Sequence, residues 1–163
     1  MSIFTAIKDL FCYRLDPQPS LATLVEYLPV GDLLNLEEWV KTNIRYVADA
    51  KDWQEYQGAD LAIPEGSGDC EEKAAVKVEV GNSEKWAREG WEFHHIRMVF
   101  TRDGGKTHEG HDIAHFANER EGREGWMDAG VYDGTYEDMY AAYKADGWDI
   151  QDWWMVNDMG VRT

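Results

Sequence analysis

The segment from Phe93 to Tyr132 constrains the fold most. Three runs in it alternate apolar and polar residues, and Gly-rich stretches separate them. The first, FHHIRMVFTR, places Ile96, Met98 and Phe100 on one face and ends at Asp103-Gly104-Gly105, a hairpin signal. The second is HDIAHFAN. The third, EGWMDAGVY, is entered through EREGREG. A period of two with short turns predicts an antiparallel sheet, because parallel strands need a long crossover between them.

Helical patterns flank these strands. In NLEEWVKTNIRYV, Asn35 is placed to cap and Glu38 to complete a capping box, with Leu36, Trp39, Val40 and Ile44 on one face. The following ADAKDWQEYQGADLAIPEGSG is polar, ends in Gly and Pro, and reads as a loop. From Cys70, CEEKAAVKVEV favours a helix with Ala74, Ala75 and Val78 inward and a stop at Gly81-Asn82. TYEDMYAAYKADG is a second clear helix, capped by Thr135, with Asp138 at its third position and Gly147 beyond its end. The aromatic tail WDIQDWWMV is expected to pack back on the sheet. Ahead of Pro29, only short helical patterns appear, broken by DPQP. Helices first, then an antiparallel sheet, is an α+β order rather than alternating βαβ.

Composition narrows the function classes. The 163 residues suggest one domain spanning 1–163. Hydrophobic content of 44%, with 8 Trp and 8 Tyr, argues against disorder. A net charge of -16 repels phosphates, so nucleic-acid binding is disfavoured, whereas a basic partner is compatible. Two cysteines, Cys12 and Cys70, make no disulfide framework, and there is no CxxC. The N-terminus makes a poor signal peptide and no apolar run is long enough to span a bilayer, so a cytoplasmic, membrane-free protein is expected.

One constellation carries chemistry. A thiol nucleophile needs a stabilised thiolate, a base and a group that orients the base. Cys70 follows Gly68-Asp69 at a helix start. His115 lies in the strand HDIAHF and Asp128 in the next, GWMD. Neighbouring strands place the last two side by side. Glu71 and Glu72, by their charge, oppose a thiolate at Cys70. His108, His111 and His115, at spacings of three and four, suit a metal on a helix face. They do not converge from a strand, so no metal is expected.

Trp53-Gln54, Gly68-Asp69-Cys70-Glu71, His115 and Trp126-Met127-Asp128 together resemble the transglutaminase-like cysteine peptidases of the papain-like Cys-His-Asp group, and most of all the bacterial transglutaminase-like cysteine proteinases. The resemblance spans roughly Leu36 to Gly130. It implies a transglutaminase/papain-like core over about 35–163, with 1–34 as an N-terminal extension. It further implies Cys70 as nucleophile, His115 as base, Asp128 as orienting acid, and an oxyanion hole from the Cys70 N–H with Gln54 or Trp53. No cofactor is implied. The substrate would be a peptide or protein, compatible with a basic one. Hydrolysis is the first choice, with deamidation and transamidation as variants. The rival reading is a non-catalytic acidic binding protein or nucleic-acid mimic on the same fold, favoured by 32 Asp+Glu against 16 Lys+Arg.

Overall fold

The computed structural model describes residues 19–48 and 58–156. The elements run α1 (Leu21–Tyr27), α2 (Leu33–Asn43), β1 (Arg45–Tyr46), α3 (Ala59–Glu65), β2 (Ser67–Gly68), α4 (Cys70–Gly81) and α5 (Glu84–Ala87). Then come β3 (Trp91–Thr101), β4 (Glu109–Asn118), β5 (Arg123–Met127), β6 (Val131–Asp133), α6 (Tyr136–Ala145) and β7 (Asp149–Val156). Strands β3 to β7 form one antiparallel sheet in the order β6-β5-β4-β3-β7, and β1 and β2 make a short parallel pair. The architecture is α+β. Among the described residues, no helix is long and apolar enough to cross a membrane.

Each face of the sheet buries its own cluster. On one face, Phe93, Ala114 and Phe116 meet Trp39, Val40, Val76, Val80 and Trp86 from the helices. On the other, Ile96, Met98, Phe100 and Ile113 meet Met139 and Tyr143 of α6 and Ile150 of β7. Strand alternation accounts for the split, since neighbours along a strand face opposite ways. Leu24 and Leu28 belong to the first cluster, so core packing begins ahead of residue 35. Lys85 anchors that end by donating to the carbonyls of Val25, Glu26 and Leu28 at 2.8–3.0 Å, which satisfies the C-terminus of α1.

Four expectations shift. Helix α2 starts earlier than expected because Asp32, not Asn35, caps it, accepting from the Asn35 N–H at 3.2 Å; it stops at Asn43, where Arg45 and Tyr46 turn to strand. The expected loop contains helix α3. Its Ala59, Ala62 and Ile63 sit at helical spacing and are fully buried, which outweighs Pro64 in the last turn. EGWMDAGVY is two strands, β5 and β6, because the chain turns at Asp128–Gly130 with Ala129 at φ 52. The tail, expected only to pack back on the sheet, is strand β7, hydrogen-bonded along β3.

That tight turn needs Gly125 behind it. A Cβ there would overlap the Tyr132 carbonyl oxygen and sit 2.6 Å from the Phe116 ring. Backbone cannot yield as a flexible side chain does. Gly125→Ala is therefore expected to cost about 1–3 kcal/mol of stability, read as a lower urea midpoint; an unchanged midpoint would show that the β5–β6 turn has slack.

Candidate active site

Helix α4 presents its first residue, Cys70, at a capped N-terminus. Asp69 accepts from the Glu71 N–H at 2.7 Å, and Glu72 reaches back to accept from the Asp69 N–H at 2.8 Å, closing a capping box. A Cβ on Gly68 would run into the Glu72 side chain, so the close entry to the helix requires glycine. The first-turn N–H groups and the helix dipole favour negative charge at this end.

Glu71 and Glu72 are not free charges beside the thiol. Both are buried. Burial pushes Glu72 up to about 7, against the pull of the Asp69 N–H. Burial also raises Glu71, while its ion pair with Arg97 pulls the other way. Their expected opposition to a thiolate is thus muted, one by its cap and one by an arginine.

Arg97 belongs to a buried knot that fixes α4 on the sheet. Its Nε lies 3.1 Å from both oxygens of Asp112, and its Nη2 3.0 Å from Oδ2. His95 Nε2 lies 2.8 Å from Asp112 Oδ1. Burial would raise Asp112, but the hydrogen bonds from His95 and Arg97 prevail and hold it below its ordinary value. The Cys70 sulfur lies 3.9 Å from Asp112 Oδ2, so the nucleophile candidate rests against a neutralised carboxylate.

On the sheet edge facing Cys70 stands His111. Strand β5 pairs with β4 only between Ala114 and Asn118, which leaves the β4 edge open at His111. Its Nε2 lies 3.0 Å from Asp128 Oδ2, and the Tyr143 hydroxyl donates to the same oxygen at 2.6 Å. Trp148 packs edge-on against the ring at 5.2 Å. Burial would lower His111, but hydrogen bonds and charge from Asp128 and Cys70 raise it to about 10. Burial likewise would raise Asp128, and His111 and Tyr143 hold it down. Burial and the neighbouring Asp128 charge push Tyr143 upward, keeping it a donor.

Cys70, His111, Asp112 and Asp128 line one cavity of about 190 Å³, with Lys73, Lys77, Tyr46 and Ala129 among its other walls. A second hollow of about 350 Å³ opens on the far side of Cys70, between Tyr46, Arg97 and Trp154. Two of the three expected residues therefore meet, Cys70 and Asp128. The expected histidine does not join them. His115 is four residues further along β4, about 13 Å at the rise of a strand. It lies opposite Trp126, its Nε2 is 3.2 Å from Glu124, and its ring stacks on Tyr136 at 4.3 Å. Burial lowers its affinity for a proton. His111, weighed in the sequence only as a metal ligand, takes the place assigned to His115. Trp53, Gln54 and Cys12 lie outside the described residues. Among the described residues, no group of three or more His, Cys, Asp or Glu is arranged to hold a metal ion.

No protein-family model matches the chain, and a comparison with curated proteins gives no match.

The raised His111 makes stability depend on pH. It binds its proton more tightly folded than unfolded, so its contribution is whole below its ordinary value of 6.5 and is lost as pH rises through about 10. Asp128, held down, contributes above its ordinary 3.8 and loses that as pH falls through its lowered value. In urea titrations the stability gap between wild type and His111→Gln should be wide near pH 6 and narrower near pH 9. A gap that does not change with pH would refute the ion pair.

Proposed function

We propose that this chain is a cysteine-dependent acyl transferase acting on amide bonds, a peptidase in the first instance, with Cys70, His111 and Asp128 as its triad. The observation that carries the reading is the shared cavity: the thiol at a helix start, the ring at an open strand edge, and the carboxylate 3.0 Å behind that ring. The order nucleophile helix, histidine strand, then an aspartate just past the end of the next strand also resembles the transglutaminase/papain-like arrangement, which we propose as the finer fold.

With Nε2 of His111 held by Asp128, Nδ1 is left for the sulfur. An imidazolium beside a thiol favours the thiolate, and the helix end adds to this. The sulfur attacks the amide carbonyl carbon and forms the C–S bond. The oxygen gains negative charge, which the first-turn N–H of Cys70 is placed to meet. His111 gives its proton to the amine, the C–N bond breaks, and an acyl-thioester remains. Water, deprotonated by His111, then attacks the thioester, releasing the acid and restoring the thiol. An amine in place of water gives transamidation. Asp128 orients the ring and stabilises its charge, and Tyr143 holds Asp128 in turn. No step calls for a cofactor.

Selective alkylation tests the assignment. Iodoacetamide near pH 6 should modify Cys70 faster than a free thiol. His111→Ala should slow this by about 100-fold, the scale of a lost general base, and His115→Ala should change it by less than about twofold. Cleavage of an unfolded protein substrate should vanish in Cys70→Ala. A Cys70 that reacts like a free thiol, or one equally slowed by His115→Ala, would overturn the triad.

A further inference from the structure

Lys73 is one turn along α4 from Cys70. Residues at this spacing share a helix face, with their Cβ atoms about 5–6 Å apart. Both line the 190 Å³ cavity. The Lys73 ammonium sits 5.6 Å from the centre of the Tyr46 ring, and among the described residues no carboxylate lies within ion-pair distance of it. The next lysine on the same face differs. Lys77 is buried and neutralised by Glu37 at 2.7 Å, and it donates to the Met127 carbonyl at 3.4 Å. Lys41 stands exposed at the rim.

Glu37, Asp112 and Asp128 also line the cavity, but each is already engaged by another cation, Lys77, Arg97 with His95, and His111 respectively. Among the described residues Lys73 is thus left without a direct ion pair, in a chain in which 32 acidic residues face 16 basic ones. Acidic residues are abundant, yet this lysine stands beside the thiol with the Tyr46 ring face as its direct contact, while Glu37 acts on it only at a distance and is paired with Lys77. Tyr46 in strand β1 limits the swing of the side chain, since a cation over a ring face is attracted to it. The cavity is smaller than the pockets that hold drug-sized ligands, so it accepts one side chain or chain end rather than a folded partner.

We propose that Lys73 is the specificity residue of this cleft, and that it binds a substrate carboxylate next to the amide that Cys70 attacks. The proposal rests on the acyl-transfer reading above for its substrate, but the anion site itself does not need turnover to be seen. The net charge of -16 does not contradict it. Exposed charges are screened beyond a Debye length of roughly 8 Å, whereas the part-buried Lys73 acts at contact, where screening is much weaker. Long-range charge governs which partners approach; the lysine decides which group of the partner settles beside the sulfur.

The carboxylate could belong to an acidic side chain or to a peptide C-terminus. Two reagents of nearly equal size read the site directly: iodoacetate, which carries a carboxylate, and neutral iodoacetamide. Both are attacked by the same thiolate, so the ratio of their rates at Cys70 cancels any change in thiolate content. The iodoacetate-to-iodoacetamide ratio should fall by about threefold or more in Lys73→Gln. It should stay near wild type in Lys73→Arg, and the wild-type preference should shrink at high salt. A ratio that Lys73→Gln leaves unchanged overturns the proposal, as does an equal fall in Lys73→Arg. A peptide with an internal Glu and an amidated end, compared with a neutral peptide bearing a free carboxyl end, then identifies the source by which is cleaved faster. If neither is cleaved but the alkylation ratio still depends on Lys73, the anion site stands and the peptidase reading falls.

Discussion

Asp112 is the residue on which the rest of the arrangement hangs. One buried carboxylate on β4 takes His95 and Arg97 from β3, and Arg97 takes Glu71 from α4. Three elements are thereby fixed by a group of charges in which Asp112 and His95 are almost wholly buried and Arg97 borders the hollow beside Trp154. Such a knot is a poor source of net stability, since desolvating each ion costs several kcal/mol. Its effect is geometric. It sets where α4 begins relative to the start of β4, and so sets the distance from Cys70 to the residue that precedes Asp112, His111. It also lets a carboxylate lie 3.9 Å from the sulfur without presenting an unbalanced negative charge.

From that fixed point the site is assembled from both faces of the sheet. Cys70 and Lys73 come from α4 on one face. Tyr143, from α6 on the other, holds Asp128 in place. His111 joins the two because β5 ends its pairing before reaching it, leaving the strand edge open. The turn that carries Asp128 is strained at Ala129, a non-Gly residue at φ 52. Backbone strain of this kind persists only where surroundings enforce it, and it gathers at functional sites. The charges follow the same logic: an imidazolium between a helix-end sulfur and a depressed carboxylate is an arrangement in which each group stabilises the next.

Much of the frame was legible in the sequence, because period and caps are local properties. The alternation in FHHIRMVFTR and HDIAHFAN, the Asp69 start of α4 and the Thr135 cap of α6 all act over a few residues. Helix α3 was hidden because Pro64 and the flanking glycines outweigh three apolar residues when read without the core they fill. The placement of His111 rather than His115 beside Cys70 has a sharper cause. The pair Ala114–Met127 fixes the β4–β5 register, and one further step puts Asp128 across from Ile113. His111 and His115 are then each two residues from that point, on the same face of the strand. The hairpin register alone does not distinguish them. What decides is the end of the sheet at which α4 begins, and that follows from the long-range knot at Asp112, which no local pattern reveals.

The central claim is that Cys70, His111 and Asp128 act as one charged unit. The most direct measurement is the titration of the His111 ring by NMR in wild type and in Cys70→Ala. The wild-type ring should keep its proton to about pH 10 and lose it at clearly lower pH once the sulfur is gone. A His111 that titrates near the ordinary 6.5 in both proteins would contradict it.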